Sequence, residues 1–179
     1  MKVSEITFGQ KLKADVLKCD SQAFVNKVVE ISQCLYINPH WLMVVMELET
    51  AGTFDPAITN KLGYTGLIQF GDEAAADLSI TTAQLRKMNA LDQLEYVYKY
   101  LKPYSRKMQK LSDVYLAVFF PRAIGKHDGW VLQTARLNPE RIAKWNPGFD
   151  VDKNRQIQVW EIKQKVLARV PKHQLKYVA

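Results

Sequence analysis

The sequence predicts a mainly α-helical fold, and three observations carry that prediction. Apolar residues recur at helical spacing in several stretches: Phe24, Val28, Ile31 and Leu35 within 22–36, Leu91, Leu94, Val97, Tyr98 and Leu101 within 90–101, and Val159, Ile162, Val166 and Val170 around 158–169. Helix-start residues punctuate the chain, with Asn38 ahead of Pro39, then Thr81 and Ser112. A chain of 179 residues with 47% hydrophobic residues can bury one sizeable core, so a single domain over 1–179 is the default. Eight Gly and seven Pro leave no low-complexity linker to divide it. The β content expected is at most a short hairpin in the Gly/Thr/Asn-rich connection 51–66.

Taken in order, residues 1–19 hold no apolar run long enough for a signal peptide, and no later segment is long enough to span a membrane. Cys19 and Cys34 show no metal-ligand spacing and read as small apolar residues, with a disulfide between them not implied. After the helix at 22–36 comes the most informative stretch, NPHWLMVVMELETAGTFDPAITNKLGYTGLIQ, from Asn38 to Gln69. Asn38 caps a helix there and Pro39 suits its first position, where a missing N–H costs nothing. At roughly 100° per residue, Trp41, Leu42, Val45 and Leu48 share a face whose arc includes Glu49. Glu47 is expected on the opposite, solvated side with His40 and Met43, and Gly52 marks the helix end.

Desolvation and the negative end of the helix both disfavour a charged Glu49. A carboxylic acid still protonated near neutral pH is what glycosidic cleavage requires, because the leaving oxygen must receive a proton. From the helix alone, a semi-exposed glutamate bonded to backbone is the plainer reading. The segment after the helix shifts the balance. Glu49-Thr50, Phe54-Asp55-Pro56 and Gly66-Leu67-Ile68-Gln69-Phe70 together resemble the goose-type lysozyme and soluble lytic transglycosylase superfamily. Its pattern is a Glu-Ser pair, a nearby Phe-x-Pro and a Gly-Leu-Met-Gln segment; Thr50 stands here for the Ser and Ile68 for the Met. The resemblance covers roughly residues 20–165.

That resemblance implies a lysozyme-like domain with its active-site cleft beside the 51–66 connection. It implies that Glu49 is the general acid and then base, that Thr50, Gly66, Leu67, Ile68 and Gln69 form one wall of a glycan-binding cleft, and that no cofactor is needed. The helix at 90–101 carries Gln93, Tyr96 and Tyr100 on a second face. Satisfied core tyrosines are the plainer reading of such a stripe, while the resemblance places at least one of them near the cleft. Short helices are expected at 72–78 and 82–88, and another from Ser112 to Pro121. In the last, Tyr115 matches the family's Tyr-containing third motif, although the Asn-Ala-Gly that completes it is absent. Tyr96, Tyr100 and Tyr115 thus make up the other side of the cleft, with Tyr115 also suited to orient Glu49. Asn138-Pro139 reads as a turn.

From Asp150 to Glu161, DVDKNRQIQVWE matches an EF-hand loop at Asp150, Asp152, Asn154, Ile157, Gln158 and Glu161, with Arg155 where the sharp turn calls for Gly. A left-handed Arg costs roughly 1 kcal/mol and its charge opposes a cation. The reading is therefore a degenerate loop held by side-chain to backbone hydrogen bonds, with calcium at Asp150, Asp152, Asn154 and Glu161 as the alternative.

Charge is divided along the chain. Residues 1–98 carry net −4 and residues 99–179 net +11. The basic half suits an anionic bacterial envelope. No zinc-finger spacing, RNP-like aromatic run or tight Lys/Arg block points to nucleic acid. The sequence expectation is a monomeric enzyme made in the cytoplasm and delivered to the wall by holin release, a virion or injection. It would cleave the β-1,4 bond between N-acetylmuramic acid and N-acetylglucosamine in peptidoglycan, as a lytic transglycosylase or a muramidase. A lysozyme-like wall-binding or structural protein without catalysis is the competing expectation.

Overall fold

A computed structural model describes residues 1–178 and is mainly helical, 54% helix with no sheet among the described residues. Nine α-helices occur in these residues, in the order α1 Ala14–Leu17, α2 Ser21–Leu35, α3 Pro39–Glu49, α4 Asp72–Asp77, α5 Thr82–Leu85, α6 Ala90–Leu101, α7 Leu111–Phe119, α8 Pro139–Trp145 and α9 Val159–Arg169. Capping explains most of the starts. Asp20, Asn38, Thr81, Asn89 and Asn138 each accept a hydrogen bond from a first-turn backbone N–H, satisfying a donor the helix leaves open. Thr81 and Gln84 cap each other reciprocally.

Three starts differ from the sequence expectation. Lys110, not Ser112, precedes α7, and Ser112 lies buried inside it. Asn138-Pro139 opens helix α8 instead of making a turn, by the same cap-plus-proline device that starts α3. The four-residue α1 has too few turns to show a period.

Helix α3 is the centre of the packing. It meets α2, α7 and α9, while α2 also packs on α6 and α7 on α9. Leu42, Met43, Val44, Val45 and Met46 are all fully buried, so α3 has no solvated face. A helix apolar all round belongs in the middle of a fold. The buried side chains form one cluster from Ile6 to Val178. Both chain ends are fastened to the start of α3: Thr7 donates its backbone N–H to His40 Nδ1 at 3.1 Å, and the Trp41 indole donates to the Val178 carbonyl at 3.0 Å.

Glu47 is therefore not solvated. It is 1% exposed, and both its oxygens are taken by cations from the two ends of the chain. Lys11 Nζ lies 2.6 Å from Oε1; Arg169 Nη2 lies 2.9 Å from Oε1 and Nε 3.2 Å from Oε2. Gly52 closes the same corner. Its φ is +81°, its N–H donates to the Glu47 carbonyl at 2.7 Å, and an added Cβ would sit 3.2 Å from Glu47 Oε1.

The 51–70 connection forms no strand. Isolated bridges join Thr59 to Thr65 and Thr65 to Phe70, so the connection is a pinned loop, within the expectation of at most a short hairpin.

Candidate active site

The site is built from the end of α3, the 51–70 loop, the C-terminal turn of α6 and the middle of α7. Glu49 occupies the last position of α3, half-buried. Desolvation by burial pushes its carboxyl up to about 7, and a hydrogen-bonding contact from the Tyr115 hydroxyl pulls the other way. Tyr115 is 4% exposed, and packs at 5.7 Å ring separation on both Phe119 and Phe149. Burial first, and then the nearby Glu49 charge, push its hydroxyl well above the usual tyrosine range. Tyr115 is thus a fixed partner for the carboxylate. The aromatic cluster encloses its ring, and it is not among the residues lining the cleft at Tyr100.

A cleft of about 370 Å³ opens at Tyr100, whose hydroxyl also feels the Glu49 charge. Ile68, Gln69 and Phe70 line one side and Tyr100 and Val118 another, with Asp72 and Glu73 at the start of α4. Glu49 does not itself line this cleft; Tyr100 links the two. Its ring packs edge-on against Phe70 at 5.9 Å. Its hydroxyl is pushed up to about 12, chiefly by burial, then by Tyr104 and by the Glu49 charge. Among the described residues, the lining carries two carboxylates and no Lys or Arg. A polyanion therefore finds no attraction inside the cleft, whatever the basic half does elsewhere.

Of the residues expected in the walls, Ile68, Gln69 and Tyr100 line the cleft. Gln69 sits at φ +52°, with its amide nitrogen turned onto the Gly66 carbonyl at 3.2 Å. Thr50, Gly66 and Leu67 lie outside the lining. Thr50 is fully buried; its hydroxyl donates to the Met46 carbonyl at 2.7 Å and accepts from the Phe54 N–H at 3.0 Å, which ties the helix end to the loop. Gly66 and Leu67 are packed beneath the loop by Gln93, which is itself 0% exposed. Gln93 Oε1 accepts from the Leu67 N–H at 2.6 Å, and its Nε2 donates to the Pro56 and Leu85 carbonyls. A side chain with every group satisfied inside the protein is a loop clamp and is not free to bind sugar hydroxyls. An added Cβ at Gly66 would lie 2.4 Å from Gln93 Oε1, and its φ is +85°, so only glycine fits this clamp.

Tyr96 is placed elsewhere. It lies half-buried with the Lys99 ammonium 4.8 Å from its ring centre, and it is absent from the cleft lining. The i, i+3, i+7 pattern that grouped Gln93, Tyr96 and Tyr100 holds as geometry, but three different environments divide it. Sequence reasoning missed Tyr64, Leu62 and Val118 in the lining. The only signal for Tyr64 was its place two residues before Gly66.

The EF-hand-like loop lies apart from this cleft. Asp150, Asp152 and Glu161 bring carboxylate oxygens within 4.8 Å of one another. Most of those oxygens hold the loop itself. Asp150 accepts from the Arg155 N–H at 3.1 Å, Asp152 from the Asn154 N–H at 3.2 Å, and Glu161 from the N–H groups of Val151 and Gln158 at 2.6 and 2.7 Å. Asn154 accepts from the Gln156 N–H at 2.9 Å. Arg155 takes the left-handed conformation that the motif reserves for Gly, at φ +65°. Replacing it with Gly is expected to stabilise the protein by about 1 kcal/mol, read as a higher urea midpoint at unchanged slope. Stability left unchanged by Arg155→Gly would mean the turn carries no strain.

None of the family models, curated proteins or solved structures compared with the chain matches it.

Proposed function

We propose that this protein is a lysozyme-like, peptidoglycan-cleaving glycosidase with Glu49 as its single acid and base. The observation that carries the reading is a half-buried carboxyl held near 7, backed by a fixed tyrosine, beside a cleft bordered by Gln69 and Tyr100. A group with that pKa is protonated often enough at neutral pH to donate to the glycosidic oxygen, and basic enough afterwards to take a proton back. Its resemblance to the goose-type lysozymes and lytic transglycosylases supports the same chemistry.

The environment of Glu49 favours a transglycosylase over a hydrolase. A retaining hydrolase needs a second carboxylate about 5 Å from the first, and an inverting one needs it at roughly 6.5–9.5 Å. The four acids near the proposed cleft in sequence have other engagements or lie in the open. Asp55 accepts from the Ala57 N–H, Asp72 from the Thr82 hydroxyl, Glu95 pairs with Lys27 at 2.5 Å, and Glu73 is exposed at the cleft rim. The rise in the Glu49 pKa comes from burial, with no carboxylate contributing to it. In a transglycosylase, Glu49 protonates the leaving oxygen and then accepts the proton of the muramic acid C6 hydroxyl as that oxygen attacks C1. The product is a 1,6-anhydro sugar, and no water is consumed.

Mass spectrometry of digested wall tests this directly. The expected products are 1,6-anhydromuropeptides. Products heavier by one water, with free reducing ends, would establish hydrolysis and make Glu73 the first candidate for the missing carboxylate. Wall that is bound but left intact would instead favour the non-catalytic reading.

Exposed cations in the basic half, among them Lys102, Arg106, Lys107 and Lys110, supply long-range attraction to an anionic envelope in this proposal. Raising salt is expected to weaken wall binding, since exposed charges are screened beyond about 10 Å at roughly 0.1 M ionic strength. Turnover of soluble glycan fragments should stay unchanged. Sedimentation with purified wall across a salt series checks both; affinity that ignored salt would remove this role.

A further inference from the structure

We propose that Tyr64 is an aromatic platform on which a sugar ring stacks at the rim of the cleft, and that it sets affinity for extended glycan strands. This deepens the glycan-cleaving reading and rests on it. Tyr64 stands on a tight, internally bonded turn. Asn60 Oδ1 accepts from the backbone N–H groups of Leu62 and Tyr64 at 2.8 and 3.2 Å. The Asn60 N–H donates to the Tyr64 carbonyl at 2.9 Å, and Gly63, at φ +88°, donates to the Asn60 carbonyl at 3.1 Å. Two large apolar side chains are nevertheless exposed on this turn, Leu62 at 82% and Tyr64 at 44%.

Single exposed apolar residues on a surface ordinarily need no explanation. Tyr64 differs because it is part of the cleft wall, which it shares with Tyr100. Its ring is also seated on backbone: a Cβ at Gly71 would lie 2.8 Å from Tyr64 Cε1, so only glycine there lets the ring lie so close. The ring therefore lies against the Gly71 backbone with a face left open to solvent. A pyranose presents a flat face of C–H groups ringed by hydroxyls. Such a ring suits an exposed aromatic with a polar tip, in a cleft that offers carboxylates and no cation.

The test compares Tyr64→Ala, Tyr64→Phe and Tyr64→Leu with the wild-type protein on purified peptidoglycan strands. A parallel titration uses soluble N-acetylglucosamine oligomers with each change made in a Glu49→Gln background. Tyr64→Ala is expected to raise KM and the oligomer Kd about fivefold to tenfold, the range of a single aromatic contact, with kcat unchanged. Tyr64→Phe keeps the ring and should stay within about twofold of wild type, whereas Tyr64→Leu, equally lacking the hydroxyl but without a ring, should behave like Tyr64→Ala. Phe and Leu variants that bind alike would overturn the platform, as would an unchanged KM for Tyr64→Ala in an enzyme that cleaves wall. If the wild-type protein neither binds nor cleaves these glycans, the glycosidase reading itself fails and the platform falls with it.

Discussion

Glu49→Gln is expected to reduce wall cleavage by at least about a hundredfold, the scale of a lost general acid, while making the protein more stable. The two effects share one cause. Burial holds the Glu49 carboxyl at about 7, against an ordinary value of 4.5. The folded state therefore keeps a proton that the unfolded chain has released, so stability falls as pH rises between those two values. Above about 7 the whole cost of ionising a desolvated carboxylate is present, on the order of 3 kcal/mol. Glutamine retains an acceptor for the Tyr115 hydroxyl and carries no charge. Its gain in melting temperature should be absent near pH 4, grow through the interval, and level off above about 7. Wild-type cleavage should fall over the same upper range, as the acid loses its proton. A Glu49→Gln protein with full activity would remove Glu49 from the mechanism. Equal melting curves for the two proteins at about pH 8 would show that the carboxyl is solvated after all.

Glu47→Ala should behave in the opposite way. It leaves Lys11 and Arg169 without the anion that joins them at the end of α3, and it empties a fully packed site. Breaking a buried ion pair from one side costs about 3–5 kcal/mol, and here the pair also ties both chain termini to the central helix. For a chain of this length each kcal/mol lowers the melting temperature by about 2–4 °C, so a fall of about 10 °C is expected. Lys11→Met or Arg169→Met should cost less, because Glu47 keeps one partner and both cations are partly exposed. At temperatures where the variant remains folded, cleavage should persist, since both Glu47 oxygens are engaged by Lys11 and Arg169. Thermal unfolding together with low-temperature turnover separates the two glutamates. A silent Glu47→Ala, or one that loses activity while fully folded, would contradict this division of roles.

Local chemistry made much of this protein legible from sequence. The 3.6-residue period of α2, α6 and α9 and the caps at Asn38 and Thr81 are properties of neighbours in the chain, and they survive folding unchanged. Glu49 stands out in the sequence through the Glu-Thr, Phe-x-Pro and Gly-Leu-Ile-Gln pattern around it, all between Glu49 and Gln69. The degenerate 150–161 loop was also readable, since its Asx-type hydrogen bonds and its strained Arg155 lie within a dozen residues.

Contacts between distant segments decided the rest. A helical wheel assumes that one side of a helix meets water; α3 is enclosed on every side, so Glu47 could be placed only once Lys11 and Arg169 had been brought to it from opposite ends of the sequence. The regular spacing of one helical stripe likewise could not separate Gln93, a buried clamp, from Tyr96 near the surface or Tyr100 in the cleft. Thr50, Gly66 and Leu67 stand in the right order for a glycan site, yet folding turns them inward to hold the loop. Sequence determined the longer helices, the caps at Asn38 and Thr81, and the place of Glu49 at the end of α3. Only tertiary structure decided which side chains reach the cleft, because exposure depends on what the rest of the chain places on top of each residue.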